Sequence, residues 1–306
     1  MKNIDSKPFL KWAGGKRQLL NTFNSLYPGN LLNGKIKKYV EPFLGGGAVF
    51  FELQRKYSFD EVVLNDINEE LILTYKVVQK QCDSLIKKLH LLEDNFIPLN
   101  DEDRSKMYYS IREKFNEEKK VINYKDFEDT WIRHAAKLIF LNKTCFNGLY
   151  RVNKSGEFNV PFGKYKNPTI CNKTNLKNVS QSLKGVMLIS GEYYDVEKYL
   201  NIDSSTFIYI DPPYRPLTSS SSFTSYSKSG FNDDNQIKLA NWYKRLVKVK
   251  NAQVMLSNSD PDDDFFHTIY EKNERDIFIK KVNAQRAINS KGTKRGKVSE
   301  IVVLNK

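Results

Sequence analysis

Cysteine and histidine are scarce in this chain, with three of each in 306 residues. Cys82, Cys145 and Cys171 are odd in number and far apart, which argues against a disulfide framework and against a C-x-x-C metal site. His90, His134 and His267 are equally scattered, without metal-ligand spacing, so no metal is expected. Long apolar runs are also missing. No stretch approaches the roughly 18 consecutive apolar residues of a membrane span, and the opening MKNIDSKPFLKW lacks the apolar core of a signal peptide. A soluble cytoplasmic protein with no membrane partner is the expectation. Acidic charge falls short of basic charge, leaving a formal net charge of +13 and a pI near 9.3. That excess suits a polyanionic partner, because Lys and Arg concentrate phosphates and release counterions on binding. A lysine-rich solvated surface gives the same arithmetic, and charge alone does not separate the two.

What is present begins with Tyr209-Ile210-Asp211-Pro212-Pro213-Tyr214. The apolar run of residues 207–210 reads as a buried strand of an α/β sheet. Asp211 then falls at the strand's carboxyl end, where open α/β sheets place their ligands. Two prolines lack N–H groups and fix φ, so they end the ladder and hold a rigid loop that accepts hydrogen bonds and donates few. The ring of Tyr214 adds a flat stacking surface. A planar group bearing an N–H₂ donor, such as an exocyclic base amine, fits those properties; an ordinary strand-ending Asp-Pro turn is the alternative.

Two glycine turns precede it. In PFLKWAGGKRQLL, residues 8–20, Gly14 and Gly15 permit close backbone approach to a ligand, with Lys16 and Arg17 beside them. The spacing of a full phosphate-binding G-x-x-x-x-G-K-[ST] loop is absent. In YVEPFLGGGAVFFEL, residues 39–53, a short strand passes through Gly45, Gly46 and Gly47 into an apolar helix, the setting a nucleotide-type cofactor needs. About 20 residues later Asp66 closes a second apolar strand, at the spacing where an acid meets ribose hydroxyls. Asp66 could equally cap the helix starting near Glu69. Residues 70–140 change to long charged segments with apolar residues at helical spacing, read as a helical insertion.

Residues 142–168 then alternate aromatic, amide and basic side chains with Gly and Pro punctuation and few aliphatics. A β-hairpin whose tip enters DNA has this composition, since Arg and Asn can read base edges, an aromatic can wedge into a stack and Lys can hold phosphate. A solvent-exposed hairpin has it too. Further strands are expected from residue 186, over 253–259 and over 299–304, with an amphipathic helix over 236–249. The Ser-rich residues 215–230 read as a mobile loop over the site, and the basic residues 284–297 as a phosphate-contacting loop or a plain surface loop.

Together FLKWAGGK, EPFLGGGAVFFEL, LND, CFNGLYRVNKSGEFNVPFGKYKNP and DPPY followed by FTSY resemble, in order and over nearly the whole chain, the Dam-type family of DNA adenine-N6 methyltransferases. The resemblance implies an α/β fold: a Rossmann-like S-adenosylmethionine-dependent methyltransferase sheet with an inserted, mainly helical target-recognition domain carrying a β-hairpin. The catalytic, cofactor-binding domain is expected over residues 1–69 and 186–306, and the DNA-binding domain over 70–185.

The same resemblance assigns Trp12, Ala13, Lys16, Gly45, Gly46 and Gly47 to S-adenosylmethionine, and Asp66 to its ribose hydroxyls. Glu192 and Tyr193 fall, by a looser match, beside its adenine. Asp211, Pro212, Pro213 and Tyr214 match the catalytic motif, with Asp211 also next to the cofactor. Arg151 matches a guanine reader, Leu149 and Pro161 contacts to a thymine methyl, Phe146 and Asn147 elements that invade the stack, and Lys11 a reader of the first guanine; Lys164 belongs to the same DNA-binding block. The implied partner is double-stranded DNA, most simply at GATC, although relatives reading longer sites that begin with GAT share much of the block. A cognate restriction endonuclease acting in the same system without stable binding is compatible with this, as is a monomer or weak dimer. Amino-methylation of cytosine N4 or of an RNA adenine, and a non-catalytic DNA-binding protein on a degenerate fold, are the alternatives. Cys145 lacks the Pro-Cys setting of cytosine-C5 enzymes and reads as structural.

Overall fold

In the computed structural model of the chain, the described residues are 4–215, 231–261, 263–285 and 297–306. Residues 216–230 of the Ser-rich stretch and 286–296 of the basic loop lie outside them. The short β-branched and aromatic runs become strands: β1 (Lys38–Glu41), β2 (Glu61–Asp66), β3 (Met187–Ser190), β4 (Thr206–Ile210) and β5 (Gln253–Ser259). All five residues of β4 are buried, as in a strand covered on both faces. With β6 (Ile277–Gln285) and β7 (Lys297–Asn305) they form a seven-stranded sheet in the order β3-β2-β1-β4-β5-β7-β6. β1 pairs parallel with β2 and β4, and β4 with β5, while β7 runs antiparallel between β5 and β6. The order reverses between β1 and β4, and in such sheets the crevice beyond the strands' carboxyl ends at the reversal takes the ligand. Asp211 follows β4 at that end.

The chain divides into two compact units. One comprises Lys16–Leu44, Tyr57–Asn65 and Glu192–Lys306, and the other Met1–Gly15, Gly45–Lys56 and Asp66–Gly191. The first holds β1, β4, β5, β6 and β7, β2 up to Asn65, and helices α1 (Leu20–Asn24) and α2 (Gly29–Leu32). The second holds β3 and the helices α3 (Ala48–Lys56), α4 (Glu69–Lys80), α5 (Cys82–Phe96), α6 (Asp101–Lys119), α7 (Asp129–Thr144) and α8 (Lys173–Ser182). α7 is packed by α4, α5 and α6 around Tyr75, Phe96, Tyr108, Phe115 and Phe140, none of them measurably exposed. Helix α9 (Asp233–Lys248) belongs to the first unit.

The many asparagines have a local use. Asn68, Asn100, Asn172 and Asn232 each cap a helix, accepting a hydrogen bond from the backbone N–H three residues on, which satisfies a donor the helix cannot. The cap of α4 is therefore Asn68 and not Asp66. β6 was not legible in the sequence, because Lys280 and Lys281 interrupt its apolar run; it is the strand at the end of the sheet, paired only to β7, where charged residues are tolerated. Residues 142–168 turn back antiparallel, but with the isolated bridges Cys145–Phe162 and Val152–Phe158 in place of a laddered hairpin. Pro161 has no N–H to give, and Asn147, Gly148, Gly156 and Lys164 adopt positive φ, which interrupts regular pairing. No helix among the described residues is long and apolar enough to cross a membrane.

Candidate active site

The Asp-Pro-Pro-Tyr loop is built within the first unit. Oδ1 of Asp211 accepts from Lys16 Nζ at 2.8 Å and from Ser257 Oγ at 3.2 Å. Ser257 is on β5, and its hydroxyl also meets that of Tyr209 on β4 at 2.8 Å. Oδ2 of Asp211 and the carbonyl oxygen of Pro212 accept no hydrogen bond from the described residues. Lys16 is 5% exposed with its ammonium on Asp211, which is 20% exposed, and 4.5 Å from the centroid of the Tyr214 ring. The Tyr214 hydroxyl donates to Glu300 Oε2 at 2.6 Å. Burial pushes the Asp211 carboxyl above its ordinary range, the Lys16 charge pulls it back, and the Glu300 charge pushes it up. Burial, with the charges of Asp211 and Glu300, holds the Tyr214 phenol protonated. The loop thus carries a carboxylate oxygen and a carbonyl that accept no hydrogen bond from the described residues, together with an aromatic ring. Ser257 and Glu300 escaped sequence reasoning, since strand pairing alone brings them here from 46 and 86 residues away.

Also in this unit, Glu192 is exposed and its backbone N–H donates to Asp195 Oδ2 at 3.0 Å, starting a short 3-10 helix. Tyr193 stacks on Phe43 with centroids 5.5 Å apart and meets Trp242 edge-on. A sandwiched base needs about 7 Å, two contacts of roughly 3.5 Å. A flat ligand at Tyr193 must therefore lie outside the Phe43–Tyr193 pair.

The second unit assembles the glycine turn. Gly45 and Gly47 take φ of 49° and 69°, and a Cβ on Gly45 would stand 3.0 Å from Cδ1 of Trp12. Only glycine satisfies both demands. Asp66 Oδ2 accepts from Gly45 N at 2.8 Å and Oδ1 from Asn68 N at 2.9 Å. Its carboxylate ties the turn to the start of α4, with lone pairs to spare on each oxygen. Burial raises the Asp66 carboxyl and these two backbone donors lower it. Ala13 is half-buried in a turn closed by Gly15 N to Trp12 O at 3.3 Å. Trp12 stacks on Tyr150 at 4.9 Å, and the Tyr150 hydroxyl bonds buried Glu70, which also pairs with Lys119 Nζ at 2.5 Å.

That unit also presents the block of residues 142–168. Phe146, Asn147, Arg151, Pro161 and Lys164 are exposed and Leu149 is half-exposed. Asn147 and Lys164 have φ of 58° and 52°, a conformation that costs a non-glycine residue and gathers at functional sites. Phe146 N donates to Pro161 O at 2.8 Å, bringing the two sides of the block together. Arg151 Nε donates to Asn159 Oδ1 at 2.8 Å. Lys11 is held to the block by buried Asn142, whose amide bonds both Lys11 N and Lys11 O at 2.8 Å and Gly148 O at 3.0 Å. Nothing in the sequence marked Asn142 as that clasp. Burial drives the Cys145 thiol up to about 12, so it is no nucleophile.

Residues 12–288 match the D12 class N6 adenine-specific DNA methyltransferase family. The chain is 50% identical over 303 residues to the Type II methyltransferase M.MjaIII of Methanocaldococcus jannaschii, covering 99% of this chain and 100% of that protein. It is 36% identical over 304 residues to the Type II methyltransferase M1.LlaDCHI of Lactococcus lactis subsp. cremoris, covering 99% and 96%. To the DNA adenine methylase of Escherichia coli K12 it is 32% identical over 301 residues, covering 98% and 96%. With a mostly parallel α/β sheet and an open acceptor loop at the end of β4, this chain belongs to the D12 class of N6 adenine-specific DNA methyltransferases.

Proposed function

We propose that the chain transfers a methyl group from S-adenosylmethionine to N6 of an adenine flipped out of duplex DNA, most simply within GATC, in restriction–modification or Dam-like methylation. Residues 1–69 and 186–306 form the catalytic domain in this reading, and residues 70–185 the target-recognition domain. The observation that carries it is a pair of acceptors, Asp211 Oδ2 and the Pro212 carbonyl, that take no hydrogen bond from the described residues, in the same loop as the ring of Tyr214. An adenine N6 lone pair is delocalised into the ring and nucleophilically weak. Two acceptors that take its two N–H bonds favour the pyramidal amine, whose lone pair is free to attack. Lys16 and Ser257 hold Asp211 by its other oxygen and so aim Oδ2. As the N–C bond forms, N6 must shed a proton, and the ionised Asp211 Oδ2 already carries that hydrogen bond. Flipping costs a few kcal/mol, and stacking on Tyr214 returns about 1–3 kcal/mol.

The chemistry of the second unit's glycine turn suits the donor: a turn without Cβ atoms, packed on Trp12, beside a carboxylate with spare lone pairs. In this reading Trp12, Ala13, Gly45, Gly46, Gly47 and Asp66 hold S-adenosylmethionine, with Lys16, Glu192, Tyr193 and Asp211 completing its contacts. When bound, it supplies a methyl electrophilic enough that no covalent enzyme intermediate is required. Arg151 and Lys11 read guanine, Leu149 and Pro161 meet the thymine methyl, Phe146 and Asn147 enter the stack and Lys164 holds phosphate. Incubation with S-adenosylmethionine and a GATC-containing duplex, followed by nucleoside mass spectrometry, is expected to yield N6-methyladenine. Methylcytosine alone, or no methylated base at enzyme in excess of sites, would refute the proposal.

A further inference from the structure

Neither proline of the Asp-Pro-Pro-Tyr loop has an N–H, so the loop has little means of bracing itself through its own backbone. The bracing comes instead from two buried amides contributed by α9 and β5. Gln236 Nε2 donates to the Pro213 carbonyl at 3.1 Å, and Asn258 Oδ1 accepts from the Arg215 N–H at 3.1 Å. The two amides are joined, Asn258 Nδ2 donating to Gln236 Oε1 at 3.1 Å. Both side chains are 0% exposed. The Pro213 carbonyl belongs to the peptide plane before the Tyr214 Cα, and the Arg215 N–H to the plane after it. One amide pair therefore fixes both planes flanking Tyr214.

The orientation is also determined. With Asn258 Oδ1 taken by the N–H groups of Arg215 and Ser259, Asn258 can only donate to Gln236. Gln236 must then turn its own donor toward Pro213. A buried amide facing the wrong way would leave polar groups unpaired, which costs far more than an exposed one would. The Ser259 hydroxyl takes the Arg215 carbonyl at 2.6 Å, and the Arg215 guanidinium is paired to Asp233 and Asp263, so the chain is anchored beyond Tyr214 as well. With the Pro213 carbonyl taken by Gln236, the proposed acceptor for a substrate amine is the Pro212 carbonyl.

We infer that Gln236 and Asn258 are positioning residues, which set the rate of methyl transfer by holding the Tyr214 ring where the target base stacks. The inference rests on the proposed role of Tyr214. Displacing a reacting group by about 1 Å can cost 100-fold in rate, so loss of this brace is expected to slow the transfer step while leaving DNA affinity nearly intact.

The test is a double-variant cycle on the full chain, reading single-turnover methylation of a GATC duplex and, separately, duplex affinity. Gln236→Met keeps the volume and removes both hydrogen bonds; Gln236→Glu keeps the acceptor for Asn258 and removes the donor to Pro213. Each is expected to slow transfer by about 10- to 100-fold with duplex affinity changed less than about 3-fold, and Tyr214→Ala by at least as much. Adding Gln236→Met to Tyr214→Ala is expected to slow transfer no further, because the brace then has nothing to position. The inference is overturned if both Gln236 variants stay within about 2-fold of the native rate, or if the losses multiply in the double variant. A native rate for Tyr214→Ala alone would instead overturn the reading of Tyr214 itself.

Discussion

Replacing Lys16 by Met isolates the ion pair that holds the Asp211 carboxylate. The ammonium lies 2.8 Å from Asp211 Oδ1 in a setting where the two side chains are 5% and 20% exposed, too dry for solvent to take its place. Removing one partner of a buried pair costs about 3–5 kcal/mol, because the other charge is left uncompensated. The partial exposure of Asp211 favours the lower end, about 3 kcal/mol, or on the order of 5 °C in melting temperature for a chain of this size. The pH dependence distinguishes this cause from lost packing. Burial already raises the Asp211 carboxyl, and Lys16 restrains that rise. A carboxyl raised in the folded state contributes stability that is fully present below its unfolded value, about 3.9, and is lost as pH rises through the folded value. In Lys16→Met the rise is larger. The deficit relative to the native chain is therefore expected to be small at acid pH and to grow as the pH rises through the native folded value toward the higher value of the variant. In the proposed reaction ionised Asp211 accepts the N6 hydrogen, so the acid limb of the methylation rate is expected to move to higher pH in the variant. Thermal unfolding at several pH values and single-turnover rates across the same range read both effects. An equal deficit at every pH, with an unmoved acid limb, would show that Lys16 fills space without holding Asp211 ionised.

Asp211→Ala is expected to abolish methyl transfer and leave duplex affinity largely intact in a filter-binding or anisotropy titration; comparable loss of both would make Asp211 a structural residue. Arg151→Ala is expected to relax discrimination at one base pair by about 1–3 kcal/mol, measured as relative rates on duplexes changed one pair at a time. An equal loss on every duplex would make Arg151 a phosphate contact. Tyr150→Phe keeps the stack on Trp12 but takes one of two tyrosine hydroxyls, the other being that of Tyr124, from the buried Glu70 carboxylate, and is expected to lower stability by about 1–3 kcal/mol in denaturant unfolding. A change under about 0.3 kcal/mol would remove that hydroxyl from the account of the second unit's stability.

The parts of this site that announce themselves in the sequence are those made by neighbours in the chain. The apolar run ending at Asp211, the prolines behind it and the glycine turn at Gly45–Gly47 are local, and each carries its backbone requirement in its own residue types. What the sequence withholds is the partner of each group. Lys16 sits beside two glycines, and nothing near it in the chain names Asp211, 195 residues on, as the partner of its ammonium. Ser257, Asn258 and Glu300 lie in strands whose apolar neighbours explain them as strands and nothing more; the β5 and β7 register, with Ser257 opposite Val302 and Ser259 opposite Glu300, is what gives them a use. Asp66 illustrates a near miss in the other direction. Its strand-end place was visible, but the cap it could have provided comes from Asn68, and its oxygens serve the glycine turn. Residues 142–168 read as a hairpin because their turn residues are hairpin residues. The same glycines, Pro161 and positive-φ positions then prevent a continuous ladder.

Adenine methylation at a defined site by the Asp211 loop is the activity proposed for this chain. Mapping methylated adenines along a plasmid, prepared without methylation and exposed to the native chain or to Asp211→Ala, tests it most directly. The account predicts N6-methyladenine at every GATC with the native chain and none with the variant. Methylation at adenines outside GATC, or a variant that methylates as the native chain does, would contradict it.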